Sequence, residues 1–193
     1  MNNLPAWTDS LLSQQLSSLR EKGEGQTLEF KVDFPAQAHD LAKEIAAFAT
    51  AGGGKILIGI ADNGALIGLE AKGAIERDKL VERAKGIVRT VEPKVKNVNF
   101  KFAFEEDMIV LCLEIPSQVE PVYYYDHRPY IRDGRDSRPA EPEEVKELCL
   151  GYYQLCEYHN LINLQTKQTL ESQKRLNEIA EKNLEQVLNR LNR

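Results

Sequence analysis

The chain has 193 residues, of which 42% are hydrophobic, and its formal net charge is −5 at pH 7. This length predicts one domain with a sizeable core plus an appendage, and argues against a multidomain protein. The mild acidity excludes a chain that is basic throughout, so any nucleic-acid site must be a local patch. The sequence has no apolar run near the roughly 18 residues of a membrane-spanning helix and no signal-peptide pattern at its start, so we expect a cytoplasmic protein.

Helical and strand patterns alternate in the first half of the chain. Leucines at helical spacing follow a capping pair, Thr8 and Asp9, and predict an N-terminal helix within residues 1–22. Strand patterns occupy residues 26–32 and 56–60, and an apolar helical face occupies residues 40–49. The tight-turn sequence Asp62-Asn63-Gly64 then predicts a hairpin whose returning strand covers residues 65–69.

The second half of the domain shows one helical pattern and several strand patterns. Residues 75–91 read as a surface helix, and apolar residues alternate with polar ones from residue 98 to 104. Residues 108–115 are the expected antiparallel partner, and residues 122–125 and 130–132 are short strands. The predicted fold class is α/β (α+β), with a mixed sheet flanked by helices.

A long C-terminal helix is predicted for residues 142–193, because Pro142 is followed by two glutamates and by no further proline. At roughly 1.5 Å per residue a continuous helix of this length exceeds what the core could cover. We therefore expect a coiled coil or bundle that makes a homodimer or higher homo-oligomer, with a solvated helix as the alternative. The imperfect apolar stripe consists of Leu148, Leu155, Ile162, Leu170, Ala180, Leu184, Leu188 and Leu191.

Three carboxylates, Glu24, Glu29 and Asp62, stand beside the first two predicted strands. Glu29 lies between two apolar residues inside a strand, where an unpaired charge is costly, so it needs a partner. That partner could be Lys31, Arg132 or a metal ion. Glu24 has an equally simple interpretation as a solvated side chain, and Asp62 as a turn residue that bonds nearby backbone.

A second cluster contains several arginines and follows three tyrosines. Arginine on phosphates and tyrosine stacked on bases is typical of single-stranded or looped RNA recognition. The alternative is an exposed hairpin in which interleaved aspartates neutralise the arginines. The candidate nucleic-acid-binding residues are Arg128, Tyr130, Arg132, Arg135 and Arg138.

These motifs, in order, resemble the Schlafen AlbA-type domain over residues 23–141. The resemblance implies a nucleic-acid-directed α/β domain. In nuclease-active members two glutamates and an aspartate hold a divalent ion, and the matching positions here are Glu24, Glu29 and Asp62, with Lys31 beside the phosphate. Mg²⁺ or Mn²⁺ suits such hard oxygen ligands. The resemblance rests on residues 28–31, 42–49, 53–54, 58–60, 62, 64, 68 and 130–139.

The function that this resemblance implies is a metal-dependent endoribonuclease acting on structured RNA such as tRNA. Arg132, Arg135 and Arg138 would contact the RNA backbone, and a homodimer would complete the groove. A bacterial defence effector fits the resemblance as well. The alternatives are a non-catalytic module that binds DNA or RNA as a regulator, and an assembly scaffold that uses the C-terminal helix.

Overall fold

The structure, a computed structural model, describes residues 4–191, except for the side chains of residues 186, 187, 190 and 191. Residues 1 and 193, at which the first predicted segment begins and the last one ends, lie outside the described residues, as does the side chain of the stripe residue Leu191. The chain divides into two compact units, Met1–Leu148 and Cys149–Arg193. The helices are α1 (Ser10–Lys22), α2 (Ala38–Thr50), α3 (Ala74–Val88) and α4 (Pro142–Leu191). The strands are β1 (Leu28–Lys31), β2 (Gly54–Ile58), β3 (Asn99–Glu105), β4 (Met108–Ile115), β5 (Tyr123–Tyr125), β6 (Arg128–Asp133) and β7 (Asp136–Pro139).

The first sheet has the strand order β1-β2-β4-β3. β1 and β2 are parallel, and the remaining pairs are antiparallel, so the predicted mixed sheet and the α/β class are confirmed. Side chains alternate between the faces of a strand, so Leu28 and Phe30 point one way and Glu29 and Lys31 the other. Leu28 and Phe30 pack in the core that α1 covers. Glu29 and Lys31 therefore face α2.

α1 begins and ends as the sequence predicts. The Asp9 side chain accepts a hydrogen bond from the Leu12 amide at 2.8 Å, which caps the first turn. The helix ends at Gly23, whose φ of 73° suits glycine. Leu12 and Leu16 are buried against the sheet. This places α1 on one face of the first sheet.

α2 lies between the first sheet and a second one made of β5, β6 and β7, all antiparallel. Its small residues, among them Ala42 and Ala46, are fully buried and let both layers approach closely. Tyr123 and Tyr130 of the second sheet join the core that contains α2. The short strands near residues 122–125 and 130–132 are confirmed, whereas β7 and the division into two sheets were not predicted.

The predicted returning strand at residues 65–69 is wrong. Only one bridge, Ile60 to Leu66, follows the tight turn. The amides of Ile67 and Gly68 both donate to the carbonyl of Gly59, at 3.0 and 2.9 Å. Gly59 and Gly68 have φ of 109° and 77°, which bends the backbone out of strand geometry. The chain therefore bends away from β2 after the tight turn and does not form the second strand of a hairpin.

The described residues of the second unit, 149–191, belong to α4, and the helix predicted from residue 142 onward is confirmed over the described residues. Many of its large apolar side chains are exposed, including Leu155, Leu161 and Leu170. No helix in the described part of the chain is long and apolar enough to cross a membrane.

Candidate functional site

Glu29 lies on β1 with its carboxylate between two cations. Arg132 Nη2 donates to Glu29 Oε2 at 2.7 Å, and Lys31 Nζ donates to Glu29 Oε1. The Glu29 side chain is only 7% exposed, so its charge needs compensation. The predicted need for a partner is confirmed, because two of the three candidate partners contact this carboxylate.

Glu44 on α2 supplies a second buried carboxylate to the same cluster. Its Oε2 accepts hydrogen bonds from Arg132 Nη1 at 2.9 Å and from Ser137 Oγ. Its Oε1 lies 3.8 Å from Lys31 Nζ. Glu44 was not predicted as a site residue, although the sequence carries a signal for it: Glu44 lies one helical turn from Phe48 on the apolar face of α2, where a charge indicates a buried partner.

Arg132 uses its guanidinium entirely inside the protein. Beyond the two glutamates, Nε and Nη2 donate to the Gly25 carbonyl at 3.1 and 2.9 Å, Nη2 to the Leu28 carbonyl at 3.2 Å, and Nη1 to Ser137 Oγ at 3.1 Å. Its side chain is 0% exposed. The expectation that Arg132 contacts an RNA backbone is therefore corrected, because its donors hold β6 to β1 and α2.

Glu24 joins β1 to the turn between β6 and β7. Its Oε1 accepts from the Phe30 amide at 3.0 Å and its Oε2 from Arg135 Nη2 at 3.1 Å. The Glu24 side chain is 9% exposed, so its interpretation as a solvated carboxylate is wrong. Arg135, in contrast, is 66% exposed and projects from the protein surface.

Gln26 holds the β6–β7 turn from both sides. Its Nε2 donates to the Arg132 carbonyl at 3.1 Å, and its Oε1 accepts from the Gly134 amide at 3.1 Å. Gly134 has a φ of 62°, which a tight turn requires here. The sequence predicts Gln26 as the first residue of a strand over residues 26–32, but β1 begins only at Leu28, and no local pattern marks Gln26 as a partner of this turn. The turn that carries Arg135 is thus fixed by side-chain bonds to its backbone.

Asp62 lies in an exposed turn and does not join Glu29. A side chain on Gly64 in this turn would meet the Arg20 carbonyl at 2.8 Å, so the turn lies against the end of α1. α1 covers the face of the sheet opposite to the one that carries Glu29. Among the described residues Asp62 makes no hydrogen bond or ion pair, so its predicted bond to nearby backbone is absent from that set.

The three predicted metal ligands are therefore not assembled. The part of the chain that the structure describes has no group of three His, Cys, Asp or Glu side chains that could hold a metal ion. Both oxygens of Glu24 and of Glu29 already accept hydrogen bonds. These residues do not fit a divalent ion in this arrangement, and binding of Mg²⁺ or Mn²⁺ stays a prediction.

The remaining candidates for nucleic-acid contact differ in exposure. Tyr130 is 4% exposed within the core, so the expectation that its ring stacks on a base is corrected. Arg138 donates to Glu144 at 2.8 Å and to Asp133 at 3.1 Å, which bears out neutralisation for this arginine. Arg128 is exposed and pairs with no residue in the described chain. Arg128, Arg135 and Arg138 are the arginines of this cluster that reach solvent.

The buried cluster shifts two proton equilibria. Burial lowers the pKa of Lys31, but the hydrogen bond to Glu29 and the charges of Glu29 and Glu44 outweigh it, so the pKa is raised. Burial raises the pKa of Glu44, the charge of Glu29 raises it further, and the bond from Ser137 and the two cations offset this only in part. Lys31 therefore stays charged at neutral pH and serves the carboxylates as a fixed cation.

The domain consists of a mixed sheet, a second, antiparallel sheet, and α2 between them, and buried arginine–glutamate pairs join these elements. This architecture defines an α/β domain rather than a helical or all-β protein. The model of the family described as Schlafen, AlbA_2 matches residues 24–141, which is more than half of the chain. The chain therefore belongs to the Schlafen AlbA_2 family.

Two bacterial proteins are among the solved structures to which the chain has some similarity. One is the crystal structure of the DIP2311 protein from Corynebacterium diphtheriae, which is 23% identical in sequence, with a TM-score of 0.47. The match covers 72% of this chain and 28% of the DIP2311 chain. The solution structure of the N-terminal domain of a protein from Nitrosomonas europaea, described as related to the ATP-dependent DNA helicase RecG, is 16% identical, with a TM-score of 0.36. This match covers 54% of this chain and 72% of the Nitrosomonas europaea chain. No curated protein compared with the chain matches it.

Proposed function

We propose that this chain is a nucleic-acid-binding module that contacts phosphates through the β6–β7 turn and does not cleave its ligand. The observation that carries the proposal is the exposed guanidinium of Arg135 on a turn that Gln26 holds in place. An arginine on a fixed turn loses little conformational entropy when it binds phosphate, and its planar donors suit phosphate oxygens. The family to which the chain belongs supports nucleic acid as the source of those phosphates.

The charges near Arg135 make this a local and moderate patch. Arg138 is 39% exposed and shares its charge with Asp133 and Glu144. Arg128 is exposed at the other end of β6 and makes no hydrogen bond or ion pair with another described residue. Backbone phosphates attract such cations without regard to base sequence, and the attraction weakens steeply with salt. We therefore expect binding that depends on salt more than on sequence.

The hydrogen bonds and ion pairs of the carboxylates support the proposed non-catalytic function. Hydrolysis by a metal ion needs carboxylate oxygens that are free to bind the ion, and open positions on the ion for water and phosphate. Here Glu24 is held by Arg135 and the Phe30 amide, and Glu29 by Lys31 and Arg132. Cleavage of structured RNA, the finer function that the family resemblance implies, would require both glutamates to release their cations and Asp62 to change its place.

We also propose that α4 assembles with α4 of a second copy. Its exposed leucines and isoleucines would be covered by a like surface, since the apolar stripe continues along one helix. The charges along this stretch are mixed, as with Glu171, Lys174 and Glu178, so a second copy meets opposite charges. Two copies would present two β6–β7 turns to one ligand, which raises avidity.

The binding proposal is tested by fluorescence anisotropy with labelled single-stranded RNA and double-stranded DNA. Arg135→Ala should weaken binding, and the slope of log Kd against log salt should fall by about one phosphate contact. Arg89→Ala, at the exposed C-terminal end of α3, is the matched control and should bind like the wild type. An equal loss in both variants, or no binding by the wild type, would refute the role of this turn.

A further inference from the structure

A second basic feature lies on the same lobe, at the end of the first sheet where β1 and β2 begin. Here a cavity of about 460 Å³ opens beside the loop that joins α2 to β2. We call it the glycine-loop pocket. Six of its lining residues carry the argument: Lys22, Thr27, Gly52, Lys55, Asn99 and Ser117. None of them belongs to the arginine–glutamate cluster.

The lining supplies cations and neutral donors together. Lys22 ends α1, is exposed, and makes no hydrogen bond or ion pair with any described residue. Lys55 is the second residue of β2, and its side chain is 33% exposed. The hydroxyls of Thr27 and Ser117 and the Asn99 amide add donors that need no charge. Such a set matches the oxygens of a phosphate group.

One acid among the described lining residues, Glu114, opposes this charge, and it is already neutralised. Its carboxylate lies 2.9 Å from Lys55 Nζ and 3.2 Å from Lys101 Nζ. The hydrogen bond from Lys55 lowers the pKa of Glu114, and Lys101 also lies 3.5 Å from Asp9. Lys55 and Lys101 are thus paired with Glu114 and Asp9, and the charge of Lys22 is not paired with any described acid.

The glycine loop keeps one wall of the pocket free of side chains. Gly53 has a φ of 105°, and a side chain there would meet the Ile115 carbonyl at 2.6 Å, so packing explains that glycine. Gly52 has a φ of 89° and open space where a side chain would be. Its backbone therefore borders the cavity directly. Leu28 and Pro116 add apolar surface, and the volume is in the range of small-ligand pockets.

We propose that the glycine-loop pocket binds a phosphate group, with Lys22 as its principal cation and the Thr27 and Ser117 hydroxyls as donors. The volume beyond one phosphate leaves room for the nucleoside that carries it. Two sources share this chemistry, a free nucleotide and a phosphate within a nucleic-acid chain. The stretch lacks the glycine spacing and the following Ser or Thr of an ATPase phosphate loop, so nucleotide hydrolysis is not part of the proposal.

The test is a ¹⁵N NMR titration of the full chain with a 5′-nucleoside monophosphate, the same nucleoside without phosphate, and a short oligonucleotide. Saturable shifts of the Thr27, Gly52 and Ser117 amides with the monophosphate or the oligonucleotide, and none with the nucleoside, are expected. Lys22→Glu should weaken this binding at least about tenfold, because a charged hydrogen bond becomes a repulsion. Lys79→Glu, on exposed α3, is the matched control and should titrate like the wild type.

The outcomes separate the sources and the two proposals. A response to the monophosphate alone identifies a free nucleotide, and a response to the oligonucleotide identifies a nucleic-acid phosphate. No saturable shift with either ligand, or equal affinity in Lys22→Glu and the wild type, overturns the proposal. The monophosphate titration tests this pocket independently of the β6–β7 turn. Arg135→Ala should leave that titration unchanged, even where it abolishes nucleic-acid binding.

Discussion

Arg132 Nη2 and Glu29 Oε2 lie 2.7 Å apart in the interior of the protein, where the Arg132 side chain is 0% exposed and the Glu29 side chain 7%. The two residues come from different sheets, so this contact and the one from Arg132 to Glu44 tie β6 to β1 and α2. The exposed turn that carries Arg135 follows β6 directly. Its position therefore depends on a buried ionic contact, and the proposed nucleic-acid contact depends on that position.

Arg132→Met should lower the free energy of unfolding by about 3–5 kcal/mol, because it leaves Glu29 and Glu44 buried with only Lys31 as a cation. Urea unfolding followed by circular dichroism measures this change. Lys85→Met breaks an exposed ion pair with Glu82 and should cost less than about 1 kcal/mol. A similar small loss in Arg132→Met would show that the buried pair does not hold the sheets together.

Gly53→Ala should destabilise the protein by about 1–3 kcal/mol, because the new methyl group meets the Ile115 carbonyl and φ is positive at this residue. Gly86→Ala, inside α3 with open space around it, should instead stabilise the protein by about 0.5–1 kcal/mol. Thermal unfolding of both variants gives the comparison. Equal effects in the two variants would contradict the close approach of the loop to β4.

The Glu44 carboxyl should titrate above its ordinary value of 4.5, because burial and the charge of Glu29 raise its pKa. The folded protein then holds this proton to a higher pH than the unfolded chain does. The contribution of Glu44 to stability therefore decreases as pH rises from 4.5 through the folded pKa. Glu144 gives the opposite case: the bond from Arg138 lowers its pKa to about 2, so its contribution is lost as pH falls below 4.5. Carboxyl ¹³C NMR titration measures both groups, and a Glu44 value at or below 4.5 would be contradictory.

A chain that stops after Leu148 should lose the self-association proposed for α4. Light scattering should give a mass above the 21.9 kDa of one chain for the full-length protein, and the mass of one copy for the shortened one. Ile162→Glu places a charge in the apolar stripe and should act in the same direction, whereas Asn160→Glu, on the opposite side of the helix, should not. An unchanged mass on truncation would remove α4 as the assembling element.

Much of the fold follows from local sequence signals. Alternating phenylalanines predict β3, and the Asp9 cap with its leucines predicts α1, because burial and capping act over a few residues. The strand predicted after Asp62 is wrong, because the bends at Gly59 and Gly68 depend on contacts with β4. β7 was missed because three of its four residues are polar, the fourth is a proline, and the strand pairs only with β6.

The candidate site was harder to predict, because its partners come from distant parts of the chain. The sequence indicated that Glu29 needs a partner, but not that Glu44 shares it. Arg132 shares an inward face of β6 with Tyr130, and this alternation could have marked it as buried. The placement of Asp62 near α1 depends on tertiary packing, which the spacing of residues in the sequence does not predict.

Glu24 gives the most direct test, because a binding module and a metal-dependent nuclease predict opposite effects of neutralising it. Glu24→Gln keeps an oxygen for the Phe30 amide but releases Arg135 from its ion pair. Since such a pair contributes about 0.2–1 kcal/mol, RNA binding should tighten by roughly 1.5- to 5-fold.

The measurement is the anisotropy of labelled RNA with the wild type and Glu24→Gln, in EDTA and in Mn²⁺, followed by a gel of the RNA. We predict a lower Kd for Glu24→Gln in both buffers and intact RNA in every lane. RNA that the wild type cuts only with Mn²⁺, and that Glu24→Gln leaves whole, would contradict a non-catalytic module and establish the nuclease.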